Sequence, residues 1–212
     1  MLAGHYAPAY ALKRRYPEAP LWQLFLGVQA LDVLFFVLAP LGIERVVLTP
    51  ALGMPLGMDL QFMPYTHSLA AALVYGGVAW GVGRALGRPR VGLAIGLAIV
   101  SHWVADVLVH VQDMPILWGD GPKLGFGIWR WHTLGFAVEL SLLGAAYAWL
   151  RPRLHGAAQR AGDVSFVVLC VVQIGNDFVL PAPPNVVQLA ISGEAVYLVA
   201  AWLASRVDRS AA

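Results

Sequence analysis

Charge is scarce in this sequence: Asp, Glu, Lys and Arg make up 12% of its 212 residues, about half the roughly 25% of a soluble domain. A chain so poor in charge cannot cover a folded surface with water-facing groups. Its net charge of +2 sits in short clusters between apolar runs, which excludes the continuous basic stripe that nucleic acid requires. Cysteine is nearly absent too. The single Cys170 lies in an apolar run and excludes an internal disulfide. What the chain does have is hydrophobic length, with 59% hydrophobic residues and a mean hydropathy of +0.67.

Those residues fall into six runs of about the 20 residues a bilayer crossing needs: about 21–40, 67–86, 91–111, 131–150, 163–181 and 187–206. The reading is all-α: one polytopic transmembrane bundle occupying residues 1–212, with 1–20 as an N-terminal segment. The first run follows Lys13, Arg14 and Arg15 but is too long for a signal-peptide core and carries Asp32, so it reads as a membrane helix. Basic residues set the orientation, because cytoplasmic loops retain Lys and Arg. Eleven of them (Lys13, Arg14, Arg15, Arg84, Arg88, Arg90, Arg151, Arg153, Arg160, Arg206 and Arg209) fall on one side and three (Arg45, Lys123 and Arg130) on the other. Both termini are therefore expected in the cytoplasm, and the chain in the cytoplasmic (inner) membrane. Trp22, Trp118, Trp129 and Trp131 fall near the interfaces, as an aromatic belt would. The outer loop Leu41–Thr66 is apolar and reads as an interfacial cover, while Gln112–Arg130 is punctuated by glycine turns.

Ionisable residues inside such runs cost several kcal/mol unless they pair, bind an ion or line water. In the third run, His102, Asp106 and His110 repeat at i, i+4 and i+8 and so share one helix face. At about 1.5 Å per residue from the basic anchors, Asp32, His102 and Glu139 lie about 16–18 Å deep, Asp106 and His67 about 24–26 Å, and His110 near the outer surface. His5 joins them if residues 4–13 form an embedded half-helix. Imidazoles with carboxylates are the ligands of zinc and other divalent first-row ions, and His102 with Asp106 can grip one from a single helix. Asp32 and His67 would complete that shell or bridge to a second ion. Glu139 or His110 could then move the proton in a hydrolysis.

These residues also carry a resemblance. Gly4-His5, Asp32 late in the first run, Pro64-Tyr65-Thr66-His67-Ser68 and Ser101-His102-x-x-x-Asp106 resemble the YdjM-like group of bacterial inner-membrane proteins described as membrane-bound metal-dependent hydrolases. The likeness extends through Glu139. It implies a multi-helix membrane fold with His5, Asp32, His67, His102 and Asp106 as metal ligands; the donor set itself puts zinc first, with manganese or iron as alternatives. This chain reads Gln29-Ala30-Leu31-Asp32 where that group typically has a Pro-Asp pair.

Bland readings stand beside these. His102 and Asp106 could be a structural hydrogen-bonded pair, Thr66 or Ser68 an N-cap, and Asn176-Asp177 a local kink. A proton- or metal-coupled transporter would use the same layer of His and carboxylate side chains, and a closed metal site would serve stability alone. The favoured expectation is a metal-dependent hydrolase acting on an ester or phosphoester at the extracytoplasmic side. The bilayer is its partner and a lipid-like molecule its substrate.

Overall fold

The computed structural model describes residues 2–48, 57–119 and 121–210. Residues 49–56 of the Leu41–Thr66 loop and Asp120 of the Gly119–Pro122 turn lie outside them.

The chain opens with a 3-10 turn, Ala3–His5, running into α1, Tyr6–Arg15. Pro8 falls in the first turn of α1, where a missing N–H breaks no intrahelical bond. Lys13, Arg14 and Arg15 close its last turn, favourable against the helix dipole. Ala3, Tyr6, Ala9 and Tyr10 are fully buried and form one core with residues of α2, α5, α6, α7 and α8. The N-terminal segment is thus a plug at the centre of the bundle.

The first apolar run is two helices rather than one: α2, Leu21–Val28, and α3, Ala30–Leu38, are bent by 49°. Gln29, at φ −108° and ψ 5°, is the break. Its buried side chain donates from Nε2 to the carbonyl of Leu2 at 3.4 Å, so the bend is shaped by the plug it touches. An antiparallel hairpin follows, β1 (Arg45–Leu48) with β2 (Met58–Phe62). Its alternation turns Val46 and Leu60 inward onto Phe35, Ala72, Ile99 and Trp103.

Helices α4 (Leu69–Ala85) and α5 (Pro89–Val109) pack along their whole length. Small residues make this possible. A Cβ at Gly83 would stand 2.5 Å from the Cα of Gly92, and one at Gly96 would stand 2.5 Å from the carbonyl oxygen of Gly76. Beyond α5 lie a short strand pair, β3 (Met114–Pro115) with β4 (Lys123–Leu124), and a 3-10 turn, Ile128–Arg130. Before that turn, Phe126 N–H donates to the Val107 carbonyl (2.8 Å) and Gly127 N–H to the His110 carbonyl (2.7 Å). These bonds satisfy carbonyls that the end of α5 leaves open. Helix α6 is His132–Leu150 and α7 is Gly156–Ile174; α7 continues into a π-turn, Gly175–Val179, and α8 is Val186–Arg209.

Among the described residues, four helical stretches are long and apolar enough to cross a membrane: Pro89–Val109, His132–Arg153, Gly156–Val179 and Val186–Arg209. The bent α2–α3 pair makes five if counted as one span. The six runs of the sequence differ from this at two places. The run 21–40 is broken, and the run 67–86 is an apolar helix of 17 residues, just under the length of a full crossing. Leu73, Val78, Leu97, Val104, Val167, Leu198 and Trp202 are exposed around the bundle, an apolar surface no water-soluble protein would present. This is a membrane protein.

The bundle has a basic end. Lys13 Nζ reaches Asp208 Oδ1 at 2.9 Å, and the same carboxylate accepts from Leu21 N–H (3.0 Å) and Trp22 N–H (3.3 Å), tying α8 to α1 and to the first turn of α2. Arg90 Nε meets Glu18 Oε1 at 2.6 Å on the exposed surface. A backbone hydrogen bond and that guanidinium hold Glu18 below the usual carboxylate range.

Candidate metal centre

At the other end, where α5 finishes and α4 begins, the polar residues of the apolar runs meet. Asp106 and His102 come from the last turns of α5, His67 from the two residues before α4, Asp32 from the first turn of α3 and His5 from the plug. His102 is fully buried, and His5, His67, Asp106 and His110 are buried to within a few per cent.

Three potential ligand atoms gather around His102 Nε2. His102 Nε2 lies 3.0 Å from Asp106 Oδ2, 3.3 Å from His67 Nε2 and 3.6 Å from Asp32 Oδ1. His67 Nε2 lies 3.1 Å from Asp32 Oδ1 and 3.9 Å from Asp106 Oδ2. An ion bound tetrahedrally at about 2.0–2.2 Å holds its ligands about 3.3–3.6 Å apart. These five separations bracket that value. Two overlapping triads, His5/His102/Asp106 and Asp32/His67/His102, each keep their ligand atoms within 4.8 Å of one another, so the buried His and Asp groups are compatible with a divalent metal.

The outer nitrogens explain why the inner ones point this way. His102 Nδ1 lies 2.6 Å from the carbonyl of Val28, the last residue of α2 before the break. A carbonyl can only accept, so Nδ1 carries the proton and a neutral His102 presents its Nε2 lone pair to the cluster. His67 Nδ1 is 2.7 Å from Thr66 Oγ1, which is 2.6 Å from Glu44 Oε2. Glu44 also accepts Tyr65 N–H (2.8 Å) and Thr66 N–H (3.0 Å) through Oε1. With Glu44 a carboxylate, Thr66 donates to it and accepts from His67 Nδ1–H, so a neutral His67 also turns a lone pair inward. Two imidazole lone pairs and two carboxylates then lie 3.0–3.9 Å apart, an arrangement compatible with a divalent cation among them.

His5 stacks on His102, ring centroids 3.8 Å apart, and its Nε2 is 3.0 Å from Asp106 Oδ1. Neither His5 nitrogen has a hydrogen bond of acceptable geometry. Asp32 Oδ2 accepts from Tyr197 O–H at 2.7 Å, which orients Oδ1 toward the histidines. His110 Nε2 is 3.5 Å from Asp106 Oδ1, its Nδ1 is 3.0 Å from Asp113 Oδ1, and its ring lies against Trp129. Glu139 faces the plug: Oε2 accepts from Leu2 N–H (2.9 Å) and Gly4 N–H (3.3 Å), and Oε1 from Trp129 Nε1–H (3.3 Å). With three donors on its two oxygens, Glu139 holds the turn that carries His5. Ser68 is the N-cap of α4, accepting from Ala71 N–H at 3.0 Å, which leaves Thr66 to the relay. Asn176 and Asp177 lie in the π-turn, Asp177 joined to Gln173 at 2.9 Å.

Sequence reasoning missed Glu44, Thr66 as a relay, Tyr197 and the Val28 carbonyl. Only Glu44 left a signal, as an acidic residue amid the apolar Leu41–Val47 stretch. The relay makes a prediction. Thr66→Val keeps the shape and removes both hydrogen bonds; the loss expected of such an outer partner is about 10–100-fold in metal affinity. Chelator competition on the purified protein measures it, and Thr66→Ser restores the wild-type value.

Compared with protein-family models, with curated proteins and with solved structures, the chain finds no match in any of the three.

Proposed function

We propose that this protein is a membrane-embedded metal-dependent hydrolase of an ester or phosphoester, working at the extracytoplasmic side of the cytoplasmic (inner) membrane. The carrying observation is the pair of overlapping triads, His5/His102/Asp106 and Asp32/His67/His102, each of three buried or partly buried ligand residues, the number that leaves a position for water, with His67, His102 and Asp32 fixed from behind. The reading extends the resemblance to the YdjM-like group. Six crossings, with α4 and the bent α2–α3 pair each counted as one, put both termini in the cytoplasm with the basic end.

Either triad would hold a divalent ion by three ligands and leave a position for water, with zinc favoured by the N/O donor set and manganese or iron as alternatives. His5, stacked on His102, supplies a further imidazole beside Asp106. When bound, a divalent ion supplies Lewis acidity and makes water nucleophilic at neutral pH. His110 faces the cavity with Asp113 on its outer nitrogen and is placed to carry the proton between nucleophile and leaving group. Glu139 acts through the turn it anchors, keeping His5 in place.

One observation favours a second reading. A helix broken at mid-membrane with a carboxylate on its second half is a device of ion-coupled transporters, and Asp32 sits one turn past the Gln29 break. Elemental analysis of detergent-purified protein, prepared without chelator beside His67→Ala and His102→Ala, tests the metal. Near-stoichiometric metal in the wild type that is lost in both variants is expected, followed by turnover in a panel of esters and phosphoesters. A folded wild type that takes up no zinc, manganese or iron overturns the reading. Metal without turnover, combined with ion uptake into vesicles, moves it to the transporter.

A further inference from the structure

A cavity of about 830 Å³ adjoins the centre. Asp32, His67, Asp106 and His110 form its inner end, and from there it runs between α3, α7 and α8. Its size falls within the roughly 300–1,000 Å³ of small-molecule sites, so a polymer does not fit inside it. Its walls are chiefly Phe35, Phe36, Val172, Leu189 and Val196. Asn176, Asp177, Gln188 and Ser192 also line it, but its surface is mostly apolar, which favours a ligand with a hydrocarbon portion.

The rim identifies the route. Val171, Val179 and Leu180 line the cavity and are 62%, 71% and 65% exposed. They lie on the outer face of α7 and the segment just after it, where a membrane protein meets hydrocarbon. The cavity therefore joins the ion-binding residues to the acyl region of the bilayer. The π-turn lies at this rim, and such turns occur often at functional sites.

Building on the hydrolase reading, we infer that the substrate is a membrane amphiphile. Its ester or phosphoester group reaches the His/Asp residues while its acyl chain lies along the cavity and passes out between α7 and α8. The chain never leaves an apolar environment, and only the head group moves inward. The bond broken is the one held at the centre: water adds to the carbonyl or phosphoryl atom, the alkoxide leaves with a proton, and no redox partner is needed. Burial of the chain contributes affinity in proportion to the apolar area taken up.

The test is photolabelling in phosphatidylcholine vesicles containing a small fraction of phosphatidylcholine with a mid-chain diazirine, with labelled positions mapped by mass spectrometry. Labelling is expected on Phe36, Val172 and Val196 as well as on the outward Val199 and Trp202. Val196→Trp fills the cavity; it is expected to lose the interior labels, keep the outward ones and retain its metal by elemental analysis. Val172→Trp serves the same purpose should the first variant not fold. Outward labels alone on metal-replete wild type overturn the inference and leave the metal reading standing. Interior labels on a protein that binds no metal uphold the lipid cavity while removing the hydrolase.

Discussion

Asp106→Asn is expected to empty the centre. Both carboxylate oxygens are committed, Oδ2 at 3.0 Å from His102 and Oδ1 at 3.0 Å from His5. The amide keeps the shape but removes the charge that balances a divalent ion among buried imidazoles. It also turns an NH2 group toward one of them. Loss of an outer partner costs about 10–100-fold in metal affinity, so loss of this ligand is expected to exceed about 100-fold. Because binding energy at a site formed only in the folded state is also folding energy, added zinc should raise the unfolding temperature of the wild type and leave that of the variant unchanged. Thermal unfolding with and without zinc, with elemental analysis alongside, reads both effects. A variant that retains stoichiometric metal would show that Asp106 is a structural partner of the histidines and no ligand.

The second large effect lies about three helical turns from the His/Asp cluster. Gly92→Val is expected to unseat α4 from α5, because a Cβ at Gly92 would stand 2.7 Å from the Gly83 Cα and 2.9 Å from the Ala79 carbonyl oxygen. Both obstacles are backbone and cannot swing aside. Overpacking of this kind costs about 1–3 kcal/mol even where side chains can adjust, and here whole helices must separate. His67 sits at the head of α4 and His102 on α5, so separation should also open their 3.3 Å spacing and weaken metal binding. Gly77→Val is the control: nothing lies within 4 Å of its Cβ position. It should behave nearly as the wild type in fluorescence-detected unfolding and in metal content. Equal losses in both variants would mean that valine's helix propensity, and not the close approach, sets the effect.

The helical architecture was legible because its cause is local: apolar runs of membrane length and basic clusters need no tertiary knowledge. The residues that meet at the centre were legible for a related reason. His102, Asp106, His67 and Asp32 stand out because a charge in hydrocarbon is costly wherever the chain goes. The break in the first run was hidden, since neither proline nor glycine occupies position 29, and the Leu2 carbonyl that Gln29 meets there comes from 27 residues away. The hairpin was hidden as well; its register pairs residues across the loop, Val46 with Leu60. Glu44 stood out only as an acidic residue in an apolar stretch; its burial to 1% exposure beneath Tyr65 and Thr66 comes from the fold. Tyr197 reads as one more aromatic in an apolar helix, and only the fold brings its hydroxyl to Asp32 from 165 residues away.

The central plug sets an order of events during biosynthesis. Residues 2–4 are held by Glu139 and Gln173, through hydrogen bonds spanning 137 and 170 positions of chain. When residues 2–4 leave the ribosome, Glu139 and Gln173, which anchor them, have not been made. His5 must therefore wait, first beside α2 and then beside α5, until α6 and α7 arrive to close around it. Contacts so distant in sequence are slow to form, so metal uptake is expected only once insertion is complete. A nascent chain halted before α7 would carry His67, His102 and Asp106 without the locked His5, and metal uptake by such truncated chains would time the last step of assembly.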